Sequence, residues 1–159
     1  METARLPGSA EQRLRDLGLT LPSVPTPIAH FVPHRRHGDL VFLAGQICEW
    51  NGEVLYRGKI GVEHDLDAGI AAARICALNL LAALKQACGT LDRVSGCLRL
   101  GGFVNAVPGY EQVPQVIDGA SDLIRSVFGA CGEHARTAVG VATLPQCAAV
   151  EVDAIFAVV

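Results

Sequence analysis

Two apolar runs near the C-terminus, residues 135–143 and 148–158, carry three charges: Arg136, Glu151 and Asp153. Charge in such surroundings needs a partner or water. A guanidinium offers a planar fork of donors that matches a carboxylate. A carboxylate nearby can place a water or move a proton. If Pro145-Gln146 form a two-residue turn between the runs, Arg136 faces Ile155, Ala138 faces Asp153 and Gly140 faces Glu151. Alternation along each strand then gathers Arg136, Glu151 and Asp153 on one face, with Val139, Val141, Val150 and Val152 on the other. A three-residue loop would break the arrangement. On the residues alone two readings stay open: a solvated or structural ion-pair set, or a clamp for a small carboxylate with a general base beside it.

Other chemistry-bearing residues are less organised. His30, His34 and His37 cluster with Arg35 and Arg36. Without a neighbouring Cys or acid they read as a solvated polar loop, and no metal is expected. His64 and His134 stand alone and read as hydrogen-bonding residues. Dinucleotide, P-loop, G-x-S-x-G and H-E-x-x-H signatures do not occur. Six cysteines (Cys48, Cys76, Cys88, Cys97, Cys131 and Cys147) include no C-x-x-C pair. The opening METARLPGSAEQRLRDLGL has no apolar export segment. The cysteines are therefore expected to be reduced, and the protein cytoplasmic.

The elements that must position these groups follow from punctuation and period. Residues 1–37 read as an N-terminal arm: a short helix capped by Ser9, then an extended stretch broken by Pro22, Pro25, Pro27 and Pro33. Residues 38–159 read as one domain. A short buried strand is expected at 40–44, and Asn51-Gly52 signals a hairpin. Asp65 or Asp67 caps a long helix with apolar residues at Ile70, Ala73, Ala77, Leu80, Leu81 and Leu84, stopped by Gly89. A strand at 94–104 carries Gly96, Gly101 and Gly102, which mark a bulge or a close backbone approach. A second helix spans about 112–128 with Val116, Ala120, Leu123 and Ile124 inward, and two strands close the chain. The order β-β-α-β-α-β-β predicts a two-layer α+β fold.

Composition narrows the function. Half of the 159 residues are hydrophobic and only 18% are charged, where about 25% is usual. Mean hydropathy is +0.34. The surplus apolar area fits a subunit interface. The apolar stretch 75–84 is interrupted by Asn79 and is too short for a span of about 20 residues, so no membrane is expected. A net charge of −3 with 13 Lys and Arg argues against nucleic acid.

The segments 38–46 (GDLVFLAGQ), 71–84, 102–105 (GFVN), 134–145 (HARTAVGVATLP) and 150–155 (VEVDAI) resemble the RidA/YjgF family, also called the endoribonuclease L-PSP or reactive-intermediate-deaminase family. The N-terminal arm and Gly-Ala-Ser-Asp at 119–122 resemble a divergent YjgF-like branch. The resemblance implies a chorismate-mutase-like fold and a homotrimer with a central β-barrel and ligand clefts between subunits. It implies hydrolysis of 2-imino or enamine acids to 2-keto acids and ammonia, with no metal or cofactor. Arg136 would grip the carboxylate of a small metabolite, and Glu151 would activate water. Phe31, Ala44 and Ala138 would line the cleft where the family has a tyrosine, a small polar residue and a cysteine. Losing those hydrogen-bonding groups can change discrimination greatly. The alternative is a non-catalytic trimer that binds a small carboxylate metabolite.

Overall fold

A computed structural model describes residues 8–159. Ser9 caps a first helix, α1 (Ala10–Asp16), its side chain accepting from the Gln12 amide. The proline-broken segment then leads into β1 (His34–His37), which pairs antiparallel with β2 (Leu40–Ile47). Asn51-Gly52, both at positive φ, turn β3 (Glu49–Trp50) into β4 (Glu53–Val54), as the dipeptide predicts. Asp65 caps α2 (Leu66–Cys88) by accepting from the Ala68 amide, and Gly89 ends it at φ 82°. The chain continues as β5 (Val94–Asn105), α3 (Val113–Phe128), β6 (Ala135–Val141) and β7 (Val150–Val158).

The main sheet has the order β1-β2-β7-β5-β6, with α2 and α3 packed on one face. β5 and β6 run parallel, joined by α3, because parallel neighbours need a crossover long enough to hold a helix. β7 lies antiparallel between β2 and β5. Its burial alternates strictly, with Val150, Val152, Ala154, Phe156 and Val158 buried toward the helices. α2 is long and apolar enough to cross a membrane by composition, yet its apolar residues pack against α3, β2 and β7.

Glycines set how closely the layers approach. A side chain on Gly119 of α3 would run into the Ile70 carbonyl of α2, and one on Gly102 of β5 would run into Ile117 of α3. Both helices therefore sit close to each other and to the sheet. The bulges in β5 fall between Val94 and Gly96 and between Cys97 and Arg99, near the first of the glycines that signalled them.

Two expectations are corrected. The last two strands do not form a hairpin: β5 lies between β6 and β7, and residues 142–149 carry the chain across it. β7 does not add to the free edge of β6 but inserts between β2 and β5, where it gains two neighbours and a place against α2. The first predicted strand is longer than 40–44 and only alternately buried, with Phe42 exposed on the uncovered face. The arm contributes β1 to the sheet, but at its edge, where the absence of a second neighbour tolerates charged residues. All six cysteines are free thiols.

Candidate functional site

β2 loses register with β7 between Leu43 and Gln46, and Ala44 and Gly45 lie in that irregularity. The bulge bends β2 beside Glu151, which pairs with Ile47. A Cβ on Gly45 would collide with the Glu151 carboxyl, so only glycine leaves that side chain its place. The carboxyl forms one wall of a pocket of about 220 Å³ with Gly45, Pro25, Pro27, Phe31 and Pro145. The prolines stiffen the arm that closes the pocket, and Phe31, 47% exposed, presents its ring there. Burial, then the charge of Asp153, pushes Glu151 above the usual carboxylate range. No residue among those described donates a hydrogen bond to it.

Asn79 supports this corner from below. Its buried amide donates to the carbonyls of Ile47 and Glu49, at 3.3 and 2.6 Å, tying α2 to the strand that leaves the pocket. In the sequence it only interrupts an apolar run; its role depends on what the helix packs against. Gln46, the last residue of the 38–46 segment, and Glu49, which no motif marks, also line the pocket.

Arg136 is elsewhere. It aligns with Leu100 on β5, which aligns with Ala154 on β7, so it shares the helix-facing side of the sheet. Glu151 and Asp153 align with Phe103 and Gly101 on the opposite side. The predicted co-facial set of Arg136, Glu151 and Asp153 is thus overturned, because the strands that carry them are separated by β5 and shifted by one residue in facing. Asp153 instead pairs with Arg99, Nη1 to Oδ1 3.3 Å. Ala138 follows Arg136 on the helix-facing side, opposite Gly102. Phe31 and Glu151 are therefore brought together, Ala44 lies beside them, and Arg136 and Ala138 occupy the far edge of the sheet.

At that edge α3 supplies the partners of Arg136. Nη1 donates to Asp118 Oδ1 at 2.8 Å and to Ser121 Oγ at 3.1 Å, and Nη2 donates to the Pro114 carbonyl at 3.1 Å. His134 Nδ1 donates to the Gly132 carbonyl at 2.7 Å, which leaves Nε2 to accept from the Ser121 hydroxyl at 2.9 Å. That tautomer is the one the hydrogen-bond network assigns. Sequence reasoning missed Asp118 and Ser121, although their spacing from each other is one that shares a helix face. Among the described residues, no group of three or more His, Cys, Asp or Glu could hold a metal ion.

Residues 11–157 match the family model described as "YjgF/chorismate_mutase-like, putative endoribonuclease". Protein TCP17 of Trypanosoma cruzi is 41% identical over 149 residues, 93% of each chain. The protein Atu1372 of Agrobacterium tumefaciens, of unknown function, has a crystal structure that superposes with a TM-score of 0.88 at 40% identity, covering 94% of this chain and 92% of that one. The crystal structure of a "putative endoribonuclease" from Shewanella oneidensis superposes with a TM-score of 0.92 at 33% identity, covering 95% of this chain and all of the other.

Proposed function

The chain belongs to the YjgF/chorismate-mutase-like family, and from that premise we propose that it hydrolyses 2-imino or enamine acids to 2-keto acids and ammonia. The observation that carries the reading is Glu151: a half-buried carboxyl with raised proton affinity, unbonded, on the wall of a mostly apolar pocket. A base whose pKa moves toward neutrality is the more effective partner for water. Glu151 takes a proton from water as the oxygen bonds to the carbon of the protonated imine, the form an enamine reaches by taking a proton at carbon, giving a neutral carbinolamine. The carboxyl then returns that proton to nitrogen, and as the C–N bond breaks the carbinolamine hydroxyl gives its own proton to Glu151, leaving the carbonyl and ammonia. Phe31 and the prolines keep bulk water from the reacting carbon.

Arg136 and Glu151 lie on opposite faces of the sheet, so one chain cannot present both to one small ligand. We place the reaction in a cleft between two copies within a homotrimer, Arg136 of one protomer holding the carboxylate and Glu151 of another activating water. Holding the carboxylate fixes the imine carbon in front of the base. Phe31, Ala44 and Ala138 offer no hydroxyl or thiol to the ligand, which favours a second reading: a trimer that binds small carboxylates without turning them over.

The test couples the protein to a pyridoxal-phosphate enzyme that releases a 2-imino acid and follows ammonia. The expected result is faster release with wild type, and a loss of about 100- to 10,000-fold in that acceleration with Glu151→Gln. Release at the uncatalysed rate, with carboxylate binding retained, selects the binding protein instead.

A further inference from the structure

The partners of Arg136 are not equivalent. Ser121 is buried, at 8% exposure, and is itself held by His134; Pro114 contributes a backbone carbonyl. These two acceptors occupy one terminal nitrogen each and keep the guanidinium oriented whether or not Asp118 is present. The Asp118 side chain is 51% exposed against 21% for Arg136, so it is the more accessible member of the pair. Its contribution is charge: a carboxylate 2.8 Å from the cation neutralises much of what attracts an anion to it.

We propose that Asp118 is the specificity-determining residue of the Arg136 site, selecting acids that carry a cationic nitrogen over acids that do not. The inference rests on the proposed role of Arg136 as carboxylate ligand. An Arg–Asp pair presents both signs side by side. An α-amino or 2-imino acid presents both signs too, its nitrogen one carbon from the carboxylate, and can satisfy the guanidinium and Asp118 together. A 2-keto acid has only the negative charge and meets Asp118 as a repulsive neighbour. The pair therefore favours substrate over product in the proposed reaction, because hydrolysis removes the nitrogen that Asp118 recognises.

The test measures binding of alanine, a stable amino analogue, and of pyruvate by calorimetric titration of wild type, Asp118→Asn and Arg136→Ala, with melting temperature recorded for each. Wild type is expected to prefer alanine. Asp118→Asn is expected to tighten pyruvate about fivefold, the upper range for a partly exposed charge pair, and to abolish the preference at an unchanged melting temperature. Equal affinities in wild type, a preference for pyruvate, or a preference for alanine that survives in Asp118→Asn overturns the role of Asp118 while leaving Arg136 as the carboxylate ligand. No binding of either acid, or binding that Arg136→Ala does not weaken, overturns the reading on which it rests, and the inference with it.

Discussion

Glu151 carries its proton more tightly in the folded chain than carboxyls in water do, because burial and Asp153 both disfavour its charge. For an acid shifted in that direction the folded state binds more protons than the unfolded one between the two pKa values. Stability therefore falls as pH rises from the ordinary carboxylate range through the raised value. Glu151→Gln removes the ionisation and is expected to melt above wild type at neutral pH, the gap closing as pH drops below the ordinary carboxylate range. Melting curves across pH check this; a parallel pH dependence in the two proteins overturns it. Gly45 makes the second residue-scale prediction. Its new side chain in Gly45→Ala meets the free end of Glu151, which can swing aside. Melting temperature should hardly change, while turnover drops by on the order of 100-fold, as misplacement of a catalytic group does. Circular dichroism melts and the ammonia assay on one preparation separate the two effects.

At the scale of elements, the close approach of α2 and α3 is set by Gly119. The atom a new Cβ would meet there is the Ile70 carbonyl, backbone inside a helix, which cannot swing away. Gly119→Ala is expected to cost about 1–3 kcal/mol as the helices part, read as a lower urea midpoint. An unchanged midpoint would mean that the helices separate freely. The contrast with Gly45 lies in what is struck: a flexible side chain in one case, a hydrogen-bonded backbone in the other. Helix ends were legible from local chemistry, since Ser9, Asp65 and Gly89 each act on backbone groups within a turn. The Asn51-Gly52 hairpin was legible for the same reason, both residues supplying the positive φ that its turn needs. The partnership of β6 with β5 was not, because nothing local distinguishes a strand that turns back from one that crosses over.

The whole molecule leaves one face of its sheet without a covering layer. Phe42 and Val139, 41% and 40% exposed, lie there with Ile155, Phe103 and the Arg99–Asp153 pair. Two helices occupy the other face, so the apolar surplus seen in the composition collects on this one. Covering it with further copies of the chain removes that surface from water. Light scattering is expected to give a mass about three times the 16.7 kDa of the chain. A mass of one chain across micromolar concentrations overturns the trimer and, with it, a cleft assembled from Arg136 and Glu151 of different copies.

By itself the sequence determined the long helices and their ends, the two-layer class and the family, because each is written in short-range pattern or in motifs such as HARTAVGVATLP and VEVDAI. It also singled out Glu151, through a charge in an apolar run. Only the tertiary structure decided which face each charge occupies. Facing depends on which strands are neighbours and in what register, and a single intervening strand, β5, sends Arg136 toward α3 and leaves Glu151 at the pocket. For the same reason Asp118, Ser121 and Asn79 acquired meaning only when packing brought α3 to Arg136 and α2 to the strand beyond the β2 bulge. Side-chain alternation is a local property of a strand, whereas strand order is a property of the whole chain.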